Sequence, residues 1–255
     1  MNPATLNPRS DLMSSTNPVI SVSNIGVCFT RFRLPFVSGR RHYWALRDVS
    51  FDVYPGETVG VIGRNAAGKT TLLKVLAGII APDRGNIRRS EINISLLSLQ
   101  VGFVPHLSGR ENAILSGILL GLTKREALAR LPDIIEFSEL DDFIDEPISI
   151  YSAGMRARLG FSVAYYAAPE VLLIDESLAV GDQDFRAKSA IAIREIITSN
   201  HTVVLVSHEL DTVRQLCDRV VWIENGETIA VDVPEKVIPD YEQHERQRVV
   251  STSKD

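Results

Sequence analysis

The chain has 255 residues, 45% of them hydrophobic, and a formal net charge of −5. That is enough to bury a substantial core in one large α/β domain or two small ones, and it excludes a general nucleic-acid binder working through a basic surface. The two cysteines, Cys28 and Cys217, have no close-spaced partner, so neither a zinc site nor a redox pair is indicated. No apolar run reaches the length of a membrane span: Ala113 to Leu122 is too short, and Val163 to Ile174 is broken by Pro169 and Glu170. A membrane role would come through a partner.

In chain order, Met1 to Pro18 reads as a flexible leader of Asn, Pro and Ser without the basic and apolar regions of a secretion signal. Val19 to Phe29 and Trp44 to Tyr54 alternate as strands do. Between them, Arg31 to His42 is rich in arginine and carries Pro35 and Gly39, as a long hairpin loop would. Both a solvated loop and a contact with phosphates or a partner fit it.

Tyr54-Pro55-Gly56-Glu57 is a turn into the most informative stretch, a buried strand from Thr58, a glycine-bearing turn and an apolar-periodic helix to Leu76. The turn fits G-x-x-x-x-G-K-[ST] at Gly63, Gly68, Lys69 and Thr70. From Gly63 to Gly68, across Arg64, Asn65, Ala66 and Ala67, the prevalence of small residues lets successive backbone N–H groups converge, and the following helix adds its positive end. Lys69 then reaches the β- and γ-phosphates, the Thr70 hydroxyl can hold Mg²⁺, and Thr71 completes the cradle.

Ala81 to Gly85 is a turn and Asn86 to Leu99 has strand character. From Ser108 to Phe143 the pattern is helical, with Arg110-Glu111-Asn112 opening one helix, Thr123 to Leu131 a second and Pro132 to Leu140 a third. The insertion ends near Pro147. Ile150 to Leu159 is a small-residue turn entering a helix from Met155 to Ala168, and Ser152 with Gly154 at its N-terminus offers a second anion site.

The apolar strand Val171 to Ile174 delivers Asp175 and Glu176 at its carboxyl end, where the crevice of an open α/β sheet lies. Asp175 fits the acid that holds Mg²⁺, and Glu176 the residue that polarises an attacking water. A helix from Phe185 to Ser199, a strand from Thr202 to Val206, a helix from Leu210 to Cys217 and a strand from Val220 to Ile223 with an Asn225-Gly226 turn follow. The alternation implies a largely parallel, covered sheet. The charged tail from Pro234 to Asp255 reads as peripheral.

From about Val19 to Gly226 the order and spacing of these motifs resemble those of ATP-binding cassette (ABC) ATPases. The resemblance implies an α/β P-loop fold with an antiparallel β subdomain and a helical subdomain at about 106–168, within a cassette spanning 19–233 between leader and tail. It places Tyr151 to Met155 at the family's signature, with Ser152 and Gly154 matching, Asp182 at its D-loop aspartate and His208 at its switch histidine, which contacts the γ-phosphate. Gly63-Arg64-Asn65, Gly102-Phe103, Leu107 to Asn112, Tyr151 to Met155 and Leu178 to Asp182 look like the ATPase subunits of bacterial exporters of O-antigen, capsular polysaccharide and teichoic acid.

The chain departs from the family pattern in places. Ala66 stands where glycine is usual, and a positive φ there would cost roughly 1 kcal/mol. Ala153 and Met155 replace the first glycine and the glutamine of the signature. Gln100 lies in the region of the Q-loop glutamine, although the usual register falls at His106 or its neighbours. Phe29, Tyr43 and Trp44 are all candidates to stack on adenine.

What the resemblance implies is an ATP- and Mg²⁺-dependent ATPase that pairs head to tail with a second copy, so that ATP on one is covered by Ser152 and Gly154 of the other. It would sit on the cytoplasmic face of the inner membrane, peripheral through a multi-spanning permease that recognises the glycan, with no nucleic acid involved. A non-transport cassette ATPase of DNA repair or the ribosome is the rival. Those usually carry a long coiled coil or two cassettes, and neither is visible here.

Overall fold

The structure, a computed structural model, describes residues 17–31, 41–97, 102–175, 182–199 and 201–252. Two amphipathic strands start the fold. In β1 (Ile20–Arg31) and β2 (Arg41–Val53), Ile20, Val22, Ile25, Val27, Leu46, Val49, Phe51 and Val53 are buried. They pair antiparallel, and β4 (Arg84–Arg89) adds to the far edge of β1.

The centre is a parallel set of β3 (Thr58–Ile62), β5 (Ile94–Leu96), β6 (Val171–Ile174), β7 (Thr202–Val206) and β8 (Arg219–Glu224). Its inner strands β3, β6 and β7 are buried along their whole length, as strands covered on both sides must be. An antiparallel hairpin through Asn225-Gly226 joins β8 to β9 (Glu227–Asp232). The order across the sheet is β4-β1-β2-β9-β8-β3-β7-β6-β5.

The period-2 alternation of these strands splits the core in two. Val59, Val61, Val204, Val206, Val221 and Ile223 join the antiparallel layer around α1 (Lys69–Leu76). Leu172, Ile174, Val203, Leu205, Val220 and Trp222 face the remaining helices.

A helical subdomain is formed by α2 (Gly109–Leu119), α3 (Lys124–Ser138) and α4 (Ala153–Ala167). Capping boxes at Ser108/Glu111 and Thr123/Glu126 start the first two. The fully buried Asn112 amide donates to the carbonyls of Val104, Leu107 and Ser108 and accepts from the Val104 N–H, which fixes the turn ahead of α2. Sequence patterning ends one helix at Leu131 and starts another at Pro132, but α3 runs through Pro132 unbroken. The carbonyl that proline deprives of a partner belongs to Leu128, which is 48% exposed, while Leu131 and Ile134 are buried and hold both halves down.

On the other side, α5 (Gln183–Thr198) and α6 (Leu210–Leu216) lead to α7 (Pro234–Thr252). The expectation of a peripheral tail gives way here to a docked helix. Val237 and Ile238 are 1% and 0% exposed, and Trp222 of β8 meets Tyr241 edge-on at 5.5 Å and His244 at 5.2 Å. No helix among the described residues is long and apolar enough to cross a membrane.

Candidate functional site

The site is built where β3 ends. Gly63 has φ 149°, and a Cβ there would lie 2.1 Å from the Ile223 carbonyl oxygen. Gly68 has φ 106° with a Cβ position 2.4 Å from the Ala45 carbonyl oxygen. Both ends of the loop therefore require glycine. Between them Ala66 has φ 66°, so the alanine does occupy the left-handed region.

The helix that follows is left open at its start. Gly68 caps α1 with no side-chain hydrogen bond, and the first turn holds no acid. By contrast Ser108, Thr123, Ser152 and Asp182 each accept a backbone N–H at the head of α2, α3, α4 and α5. The first N–H groups of α1 thus lack the partner that α2 to α5 supply from within, and with the helix dipole they favour an anion. The Lys69 ammonium lies across the loop, donating to the Gly63 carbonyl at 2.6 Å and the Arg64 carbonyl at 3.0 Å.

Strand order then brings the other groups in. Because β7 lies between β3 and β6, and all three run parallel, their carboxyl ends deliver the loop, His208 and Asp175 to one edge. A cleft of about 720 Å³ joins them, lined by Arg64, Asn65, Ala66, Gly68, Lys69, Thr70, Thr71, Asp175 and His208. Open N–H groups, an ammonium, and a hydroxyl and carboxylate offering hard oxygen ligands fit a nucleoside polyphosphate with Mg²⁺.

The aromatic rim is narrower than the sequence left it. Phe29 and Tyr43 are cross-strand neighbours on β1 and β2, 42% and 44% exposed, and both line the cleft. Trp44 is turned away and packs under the Arg84 guanidinium at 4.2 Å.

Other expected residues lie elsewhere. Ser152 caps α4 by accepting the Met155 N–H at 3.1 Å, and Asp182 caps α5 by accepting that of Phe185 at 3.0 Å. Neither these nor Gly154 line the cleft of this chain. Tyr151 is an internal anchor. Its buried hydroxyl donates to the Phe143 carbonyl at 2.6 Å, and burial pushes its pKa up to about 12. Glu176 and Gln100 fall outside the described residues.

Three residues beside the loop went unnoticed in the sequence: Glu224, Glu245 and Arg248. Arg64 pairs with Glu245 of α7 at 3.6 Å, and Arg248 pairs with the buried Glu224 at 2.6 Å. No motif marks them, because the pairing depends on where a charged helix docks.

An open sheet of this order, with a polyphosphate cradle at the carboxyl edge of its central strand, defines a P-loop nucleotide-binding protein. Residues 46–179 match the family described as ABC transporter. The chain belongs to that family, as one of its cassette ATPases.

Among curated relatives, the O-antigen export system ATP-binding protein RfbB of Klebsiella pneumoniae is 49% identical over 203 residues, covering 80% of this chain and 82% of that protein. The teichoic acids export ATP-binding protein TagH of Lactococcus lactis is 45% identical over 205 residues, 80% of this chain, but the chain spans only 43% of its length. The ABC transporter protein AbcA of Aeromonas salmonicida is 40% identical over 235 residues, 89% of this chain and 76% of that protein.

Among solved structures, the dimeric post-hydrolysis ATP-binding cassette MJ0796 with ADP and Pi aligns with a TM-score of 0.67 at 20% identity, covering 84% of this chain and 98% of that one. The ATP-binding subunit of an ABC transporter aligns with a TM-score of 0.70 at 22% identity, covering 88% and 93%. At these identities the likeness is one of fold.

Proposed function

We propose that this chain is the ATP-hydrolysing subunit of an exporter that moves a cell-surface polysaccharide or lipid-linked glycan across the inner membrane. Convergence of the uncapped α1 N-terminus, Asp175 and His208 on one cleft supports nucleotide hydrolysis. The assignment to glycan export rests on the likeness to RfbB, which covers four fifths of both chains.

In this reading Gly63 to Thr71 cradle the phosphates, Lys69 neutralises them, and Phe29 with Tyr43 takes the base. Thr70 and Asp175 would hold Mg²⁺, which supplies charge neutralisation to the phosphates when bound. Glu176 polarises the attacking water, His208 contacts the terminal phosphate, and Gln100 belongs to the nucleotide-binding set. Asp182 couples two sites across a homodimer in which Ser152 and Gly154 of each copy cover the nucleotide of the other. Gly154 supports this role: a Cβ there would meet nothing nearer than Ser152 Oγ at 3.7 Å, so internal packing does not require glycine. The partner is a multi-spanning permease at the cytoplasmic face of the membrane, which selects the glycan.

Glu176→Gln tests the reading. The variant is expected to bind MgATP, lose turnover and accumulate as an ATP-bridged dimer in size-exclusion chromatography; undiminished hydrolysis would remove Glu176 from the mechanism. Affinity capture from membranes tests the partner. Recovery of a multi-spanning permease supports export, and recovery with ribosomes or DNA alone supports a non-transport ATPase.

A further inference from the structure

A second cavity, which α7 helps to line, adjoins the nucleotide cleft. It has a volume of about 350 Å³ and is lined by Tyr43, Arg64, Asn65 and Ala66, all of which also line the nucleotide cleft, together with Glu224 and Arg248. Arg64 therefore stands between the two spaces, and the residue that holds it belongs to α7. Glu245 Oε2 lies 3.6 Å from Arg64 Nε, the inner nitrogen of the guanidinium. The two terminal nitrogens make no hydrogen bond to the described residues.

The Arg64 side chain is 47% exposed and that of Glu245 31%, so the shielding lies on the Glu245 side. Glu245 Oε1 is closed off from solvent with no hydrogen-bond partner among the described residues. The helix segment that carries it is fixed from below, where the buried Glu224 accepts from Arg248 at 2.6 Å and lies 3.5 Å from His244 Nδ1. Burial of Val237 and Ile238 holds the same helix against the sheet. With the Glu245 carboxylate beside Nε and no hydrogen bond at the outer nitrogens, that outer pair of donors is available to a phosphate, which can be met in bidentate fashion.

We propose that Glu245 is a positioning residue of the nucleotide site: it holds Arg64 so that the terminal guanidinium nitrogens meet the phosphate-bearing end of the nucleotide, making α7 part of the binding apparatus. The proposal rests on ATP binding at this cleft. Glu245 touches no nucleotide itself, so its whole effect runs through Arg64.

The test is a double-mutant cycle on the full chain, with MgATP affinity measured by calorimetric titration and the nucleotide-free thermal midpoint measured beside it. Arg64→Gln is expected to weaken MgATP about tenfold, the loss of one charged hydrogen bond. Glu245→Gln is expected to weaken it about threefold, as a partly shielded ion pair would. The double variant should be no weaker than Arg64→Gln alone, and Glu245→Asp should recover most of the affinity. Wild-type affinity in Glu245→Gln would overturn the proposal, as would a loss of equal size in the Arg64→Gln background. A wild-type chain that fails to bind MgATP would instead bring down the ATP reading itself.

Discussion

The Lys69 ammonium donates to the Gly63 carbonyl oxygen at 2.6 Å, joining the end of the phosphate loop to its beginning. With its second bond to Arg64 the side chain has a structural task besides any contact with phosphate. Lys69→Met should therefore act twice. Loss of a charged hydrogen bond to phosphate weakens MgATP by about ten- to a hundredfold, and loss of the two loop bonds lowers stability by about 1–2 kcal/mol. Titration and urea denaturation separate the two effects. Unchanged MgATP affinity would place the phosphates elsewhere.

Ala66 carries a strain that the loop does not require. Its φ of 66° costs an L-residue about 1–2 kcal/mol, while glycine there would add about 0.4–1 kcal/mol of unfolded-state entropy to be lost on folding. Because Ala66 is exposed, little packing is at stake. Ala66→Gly is expected to stabilise the protein by about 0.5–1 kcal/mol in urea denaturation. A destabilised Ala66→Gly would mean that the methyl makes a contact that outweighs the strain.

The chemistry-bearing centre was legible because its residues are local. Thr58 to Leu76 contains a whole strand, loop and helix, and Val171 to Ile174 and Thr202 to Val206 are apolar runs that point their carboxyl ends to one place once the strands are parallel. Which aromatic lines the cleft was not legible: the pleat puts the adjacent Tyr43 and Trp44 on opposite faces, and only the pairing within the sheet decides which of the two faces the cleft. The docking of α7 was hidden for another reason. Its sequence is mostly charged and polar, with Pro239 inside, and Val237 and Ile238 with Tyr241 are a short apolar stripe. That stripe gains meaning only from Trp222, in a different element.

The docked tail makes its own prediction. Ile238 is fully buried, so Ile238→Ala removes buried carbons and leaves a cavity, at a cost of about 2–5 kcal/mol. A peripheral tail would make the same change nearly neutral. Urea denaturation distinguishes the two, and a loss below about 0.5 kcal/mol would show the helix undocked in solution.

The helical subdomain gives the pH dependence. Arg110 Nε and Nη2 donate to the two carboxylate oxygens of Asp145 at 2.7 and 3.0 Å, tying the head of α2 to the segment ahead of the α4 turn. That paired hydrogen bond holds the Asp145 carboxyl below its ordinary value of 3.8. A carboxylate depressed on folding binds fewer protons in the native than in the unfolded chain, so stability rises with pH across the interval between the two values. The contribution of Asp145 is complete above 3.8 and disappears as pH falls through the lower, folded value. Asp145→Asn should accordingly melt earlier than wild type at neutral pH, with the gap between the two midpoints closing as the solution is acidified below 3.8. Both groups are exposed, so the gap at neutral pH should be small and should shrink with added salt. Equal midpoints at neutral pH and low salt would show that the Arg110 pair contributes nothing to holding the subdomain in place.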